Sequence, residues 1–237
     1  WNEACVRAAM EAMVLPAHRL VLDVATRMVR PMAALWETAG VWEYGLLCES
    51  FASRIPRSWV PRLDLTHGWI APAAHSIYAT APVVLAGAKA WCRAHGRIFS
   101  LHAAEREDEL VLARERFGLG AEAILQEASS VVAALDALGV LDAGTMLVHG
   151  VHLTESDVAV LVQRRCVVCV CPRSNAALGV GQVPWAIFRR YGLPVVLGTD
   201  SLASAPDLDL WREAAFLKEH LAPDLGLTEV LAMVTGQ

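Results

Sequence analysis

The chain is 237 residues long, 55% hydrophobic and 19% charged, far from a disordered composition and apolar enough to bury a sizeable core. A net charge of −5, with no basic block interleaved with aromatics, lacks the footprint that grips a phosphate backbone, so no nucleic-acid partner is expected. The longest apolar stretches are broken by His, Arg or Pro before the ~18–20 residues that cross a bilayer, so no membrane is expected either.

In chain order, Trp1–Met13 reads as part of an Ala-rich helix with no strand or cap before it, and the character changes to strand near Leu15-Pro16. Seven short β-branched or apolar runs then read as strands: Leu20–Ala25, Tyr44–Cys48, Leu65–Ala71, Ile98–Ala103, Thr145–Val151, Val167–Cys171 and Val195–Thr199. Between them Val83–Ala94, Glu122–Leu138, Glu155–Arg164, Pro184–Tyr191 and Leu208–Glu219 repeat apolar residues at helical spacing. Gly96, Gly139 and Gly192 each follow a helical stretch where a left-handed residue ends it. Of the six cysteines, Cys166, Cys169 and Cys171 share one Val-rich run; they read as buried thiols of a chain kept in a reducing cytoplasm.

Strand–helix alternation with near-continuous apolar strands implies an α/β fold whose parallel sheet is buried on both faces. A barrel and a doubly wound sheet differ in where polar groups gather. Here His75 follows the third strand, His102 and Glu105 end the fourth, and His149 ends the fifth. Arg173, Ser174 and Asn175 follow the sixth, and Asp200 ends the seventh. Five consecutive strands thus deliver polar groups to one rim, and no Gly-x-Gly-x-x-Gly or Gly-Lys-Ser/Thr loop follows any strand. The expectation is a (β/α)₈ TIM barrel filling residues 1–237 as one domain incomplete at both ends, with the missing strand ahead of Trp1.

Each rim group alone is a weak signal. His102 and Glu105 could be a surface His and a first-turn acid, His149 a satisfied core residue, and Asp200 an N-cap. Spacing sends His152 to the opposite side from His149. Together, two imidazoles and a carboxylate at equivalent ends of successive units suggest metal-assisted hydrolysis, with Glu105 moving protons.

The strings Ser100–Glu105, Leu147–Thr154, Cys171-Pro172-Arg173-Ser174-Asn175 and Leu197–Ser204 resemble, in that order, the deaminase and chlorohydrolase branch of the amidohydrolase superfamily. Ala74-His75-Ser76-Ile77-Tyr78 is similar to that branch's substrate-facing His motif. The resemblance implies a TIM barrel with one divalent metal, zinc first and iron second, held by His102 and Asp200. It implies Glu105 as the proton shuttle, His149 as the residue that holds the attacking water, and Asp200 as the acceptor of its proton. It also implies substrate contacts from His75, Tyr78, Arg173, Ser174, Asn175 and Ser201. The expected reaction is release of ammonia from an aminopurine nucleoside, aminodeoxyfutalosine before S-adenosylhomocysteine or adenosine. Guanine, cytosine-like and chlorotriazine substrates stay open, as does association with further copies of the chain.

Two departures stand out. Members open the barrel with a strand ending in His-x-His, which this chain does not contain, and their small β-domain is absent as well. His18 and His67 do not replace the motif: one precedes the wrong strand, and the other is expected inside the third strand. The chain is therefore expected to be a piece of a longer protein. The alternative is a metal-free barrel that binds a purine-like ligand without turnover. A binuclear site is disfavoured, because no Lys lies between Leu65 and Tyr78 to bridge two metals.

Overall fold

A computed structural model describes residues 20–236 apart from 27, 40, 42 and 119–121. The expected Trp1–Met13 helix, the change at Leu15-Pro16, His18 and the strand placed ahead of Trp1 lie outside these residues. The described strands are β1 (Leu20–Ala25), β2 (Glu43–Ser50), β3 (Gly68–Ala74), β4 (Phe99–Ala103), β5 (Thr145–His149), β6 (Val167–Val170) and β7 (Val195–Leu197). Every neighbouring pair within β1-β2-β3 and within β4-β5-β6-β7 is parallel. One backbone bond, His102 N–H to the His75 carbonyl at 2.8 Å, joins the C-terminal ends of β3 and β4 across the seam between the two sheets.

Helices fill the crossovers: α1 (Val29–Thr38), α2 (Pro82–Ala94), α3 (Glu109–Phe117), α4 (Glu122–Glu127) and α5 (Val131–Ala137) come first. They are followed by α6 (Glu155–Arg164), α7 (Pro172–Leu178), α8 (Trp185–Tyr191), α9 (Leu210–His220) and α10 (Leu227–Thr235). This is the wall of an α/β barrel, as the alternation implied. All of β5 is buried, since the barrel interior covers one face and helices the other. One core cluster runs from β2 to α10, and a smaller one gathers Val21, Ala33, Leu35, Trp36, Tyr44 and Leu46 around β1, β2 and α1.

Several boundaries shift; β5 ends at His149 rather than Val151 and β7 at Leu197 rather than Thr199, and three further shifts have a local cause or consequence. The third strand starts at Gly68, not Leu65, because the Thr66 and His67 N–H groups donate to the Glu37 carboxylate instead of joining a ladder. His67 therefore lies before β3. The single helix expected over Glu122–Leu138 is two, because Ser130 turns extended and its hydroxyl accepts from Ala133 N–H, capping α5. The second strand continues two residues past Cys48, which brings Glu49 to its C-terminal end. Gly96, Gly139 and Gly192 adopt φ of +61°, +69° and +63°, the left-handed geometry expected of them.

Candidate active site

The site is built on the C-terminal ends of the strands, where parallel β/α units leave loops free to carry chemistry. From β4, His102 stacks on His149 of β5, ring centroids 5.0 Å apart, with His102 Nδ1 3.0 Å from His149 Nε2. The far nitrogen of His149, Nδ1, is 2.9 Å from Asn175 Oδ1. Glu105 Oε1 lies 3.8 Å from His149 Nε2. His75 follows β3, its ring 5.1 Å from His102, 5.8 Å from Tyr78 and 4.4 Å from Phe51.

Backbone strain gathers at the same rim. Among the described residues, four non-glycines have positive φ, and three end strands or begin the loops after them: Ala104 at 52°, His149 at 78° and Asp200 at 58°. Each costs on the order of 1–3 kcal/mol and persists only where surrounding contacts enforce it. At Ala104 the enforcing group is Glu109. Its buried carboxylate accepts from Ala104 N–H (3.0 Å), Glu105 N–H (2.8 Å) and Arg106 N–H (3.1 Å), fixing the loop that carries Glu105. Burial outweighs these bonds and pushes the Glu109 carboxyl up to about 7.

The first turn of α7 distributes three neighbours to three tasks. Arg173 gives its guanidinium to Asp207 at 2.7 and 3.1 Å and lies 3.6 Å from buried Glu213, which also accepts from Arg173 N–H. Ser174 donates to Asp200 Oδ2 at 2.7 Å, a bond that Ser204 repeats at 2.7 Å, and Asn175 holds His149. Ser201 is exposed on the loop after Asp200, and His152 turns outward to the Val180 carbonyl at 3.0 Å.

One member of the rim escaped the sequence reading. Glu49, at the end of β2, lies 3.3 Å from His102 Nε2 through Oε1, and its other oxygen accepts from Thr26 at 2.7 Å. A single Glu after a strand carries no motif. Only the extension of β2 past Cys48 signals it.

Charges within the rim are interdependent. Burial disfavours the charged form of His102, but Glu49, Asp200 and Glu105 overcome that and raise its pKa. Burial and the neighbouring imidazoles lower those of His75 and His149. For Glu49, burial opposes ionisation, yet nearby His102 and the Thr26 hydroxyl prevail and hold the carboxyl below its ordinary range. Asp200 is likewise held down, against burial, by two serine hydroxyls and the imidazoles.

Among the described residues, two donor sets could hold a cation: Glu49, His75 and His102, and His102, Glu105 and His149, with donor atoms within 4.8 Å of one another in each. Imidazole nitrogens with carboxylate oxygens are a donor mixture that zinc accepts, so the residues fit one divalent ion. Asp200 belongs to neither set, and no described cysteine does; the described cysteines are all free thiols. No helix is long and apolar enough to cross a membrane among the described residues.

Comparisons with known proteins agree with this architecture. The chain is 44% identical over 85 residues to the aminodeoxyfutalosine deaminase of Deinococcus radiodurans, covering 36% of this chain and 20% of that protein. It is 33% identical over 144 residues to a 5-methylthioadenosine/S-adenosylhomocysteine deaminase of Nitratidesulfovibrio vulgaris, covering 61% and 30%. Among solved structures, an adenosine deaminase from Xanthomonas campestris with bound zinc superposes with a TM-score of 0.73 at 20% identity, over 99% of this chain and 56% of that one. The chain thus spans a little over half of that solved structure's length and less of these two relatives. The sequence pattern of the amidohydrolase family matches residues 63–236, which takes in every strand from β3 onward and every rim group named above except Glu49, Thr26 and Phe51. The chain belongs to the amidohydrolase family.

Proposed function

We propose that this rim is the centre of a metal-dependent hydrolytic deaminase that exchanges the amino group of an aminopurine nucleoside for oxygen, with water consumed and ammonia released. The observation that carries the reading is His102 between two donor sets, with Glu105 at the edge of one and Asp200 in the loop that follows β7. A divalent cation, zinc before iron, supplies when bound the positive charge that brings a water's pKa to about 7.

The chain's own residues divide the remaining work. His102 is the donor common to both sets. The resemblance gives Asp200 two roles, ligand and proton acceptor. Ser174 and Ser204 keep its carboxylate ionised, the form that both roles require. Glu105 delivers a proton to the ring nitrogen beside the reacting carbon. His149, held by Asn175, orients the attacking water. His75, Tyr78 and Ser201 line the approach for the substrate, Ser174 and Asn175 act through Asp200 and His149, and Arg173 positions their turn through Asp207 and Glu213.

The relatives' activities favour aminodeoxyfutalosine and S-adenosylhomocysteine as first substrates to try, with adenosine third. Free thiols suit a reducing compartment such as the cytoplasm. The zinc-loaded chain is expected to release ammonia from at least one of the three, and Glu105→Gln to lose on the order of 10²–10⁴ in rate with unchanged metal content. A loaded chain that releases no ammonia from any of them overturns the proposal. Metal lost from the Glu105→Gln variant removes Glu105 from the role of shuttle.

A further inference from the structure

We propose that Glu109 is a positioning residue for the reaction: by holding three consecutive backbone N–H groups, its carboxylate sets the direction in which Glu105 leaves the rim, and so governs proton delivery without touching the substrate. This role deepens the deaminase reading above and rests on it for any effect on turnover. The placement of Glu105 is read apart from turnover.

The Glu109 side chain is fully buried, whereas an acid in the first turn of a helix is ordinarily solvated. Its Oε2 accepts from Ala104 N–H, and its Oε1 from Glu105 N–H and Arg106 N–H. Successive N–H groups converging on one point form the concavity in which backbone binds anions, and here the anion is a side chain of the next helix. The other edge of the same stretch is held too. The Ala103 and Ala104 carbonyls accept from Gly150 N–H at 3.1 Å and His152 N–H at 2.8 Å, in the loop after β5. Ala104 is thus clamped on both sides at a φ of 52°, which a residue with a Cβ keeps only under such constraint.

The clamp is anchored from behind. Leu110 and Ala113 bury one face of α3 in the core, and Arg114 donates from the same helix to the Leu125 and Ala128 carbonyls at 2.8 and 2.7 Å. Glu109 is therefore fixed by its helix, and the N–H groups follow it. Glu105 gains little hold through its own side chain: its 3.8 Å approach to His149 Nε2 is longer than a hydrogen bond. Its direction is left to its backbone, whose N–H is the middle one of the three. Because the loop after β5 also begins at His149, the same clamp fixes Glu105 relative to that imidazole. A shuttle needs such precision, since a misplacement of about 1 Å can cost on the order of 100-fold in rate.

Kinetics of the zinc-loaded chain with the three substrates above, at pH 8 where Glu109 carries its charge, test the role. Glu109→Gln keeps the side chain's size but turns one accepting oxygen into a donor, setting N–H against N–H. It should lower kcat about 10- to 100-fold, with KM and bound zinc within a few-fold of wild type. Added to Glu105→Gln, it should cost no more than a few-fold further, because a residue that acts only through Glu105 then has nothing left to position. A general loss of packing would cost the same in both backgrounds. A crystal structure of Glu109→Gln should show Glu105 turned away from His149, with His102 and His149 still stacked. Should this variant not fold, by circular dichroism, Glu109→Asp replaces it with the same expectation, since it keeps the charge but falls one methylene short of the N–H groups. Failure of both to fold makes Glu109 a folding residue and overturns the role. So does an unchanged kcat, a loss of zinc, an equal further loss on Glu105→Gln, or a Glu105 that stays in place. Wild type without ammonia release sinks the deaminase, and the displacement of Glu105 still decides the clamp. Wild-type turnover that Glu109→Gln leaves intact does the reverse.

Discussion

Arg173 is an ion-pairing residue whose partners come from distant sequence. Its side chain is 11% exposed between Asp207 and fully buried Glu213, so Arg173→Met would leave Glu213 buried without its cation. Burial already pushes the Glu213 carboxyl up to about 7 even with Arg173 beside it. The variant is expected to lose about 3 kcal/mol of unfolding free energy above pH 7 and less at pH 5, where Glu213 can carry a proton. Denaturant melts at the two pH values check this, and equal losses at both would show that Glu213 is not the group left unpaired. At this scale the string Cys171–Asn175 was legible as a rim motif, but the division of labour within it was not. The partners of Arg173 lie on the loop before α9 and on α9 itself, and no spacing rule connects them to residue 173. Glu49 was illegible for the same reason: its meaning is its distance to His102, two strands away.

The loop from β4 to α3 shows how one buried acid organises an element. Glu109 ties down three consecutive N–H groups, and its carboxyl rises from 4.5 to about 7. Between those pH values the folded chain keeps a proton that the unfolded chain releases, so this group's contribution to stability is full below about pH 4.5 and is lost as pH rises through 7. The advantage of wild type over Glu109→Gln should therefore shrink across that window by up to about 3 kcal/mol and stay level above it. Paired denaturation curves from pH 4 to 8 measure the difference, and an advantage that grows with pH would reverse the sign. The elements themselves were largely readable: all seven expected strands exist, and α6 spans Glu155–Arg164 as its apolar spacing predicts. Two of the errors fell at boundaries where a side chain captures the backbone, Glu37 ahead of β3 and Ser130 ahead of α5. Such captures depend on a partner, and helical or strand periodicity carries no trace of it.

Across the whole molecule, the barrel wall is uneven. The β1–β3 sheet leans on the smaller core cluster, Leu20 and Val24 of β1 are 46% and 39% exposed, and the seam to β4 carries one rim bond. Local stability follows buried apolar contact, so amides of β1 and β2 should exchange with solvent sooner than those of β5 and β6. Hydrogen-exchange mass spectrometry on the metal-free chain reads this order. Equal protection across the seam would mean that the wall unfolds as one unit. Apolar periodicity and the order of strand-end polar groups sufficed for the fold class, the seven staves and the rim, since burial on both faces and chemistry at strand ends are properties of each β/α unit by itself. Which rim atoms face one another was decided only by tertiary structure. Glu49 beside His102 and Arg173 between two acids depend on the packing of elements far apart in the chain, and distance through space has no local signature in a sequence.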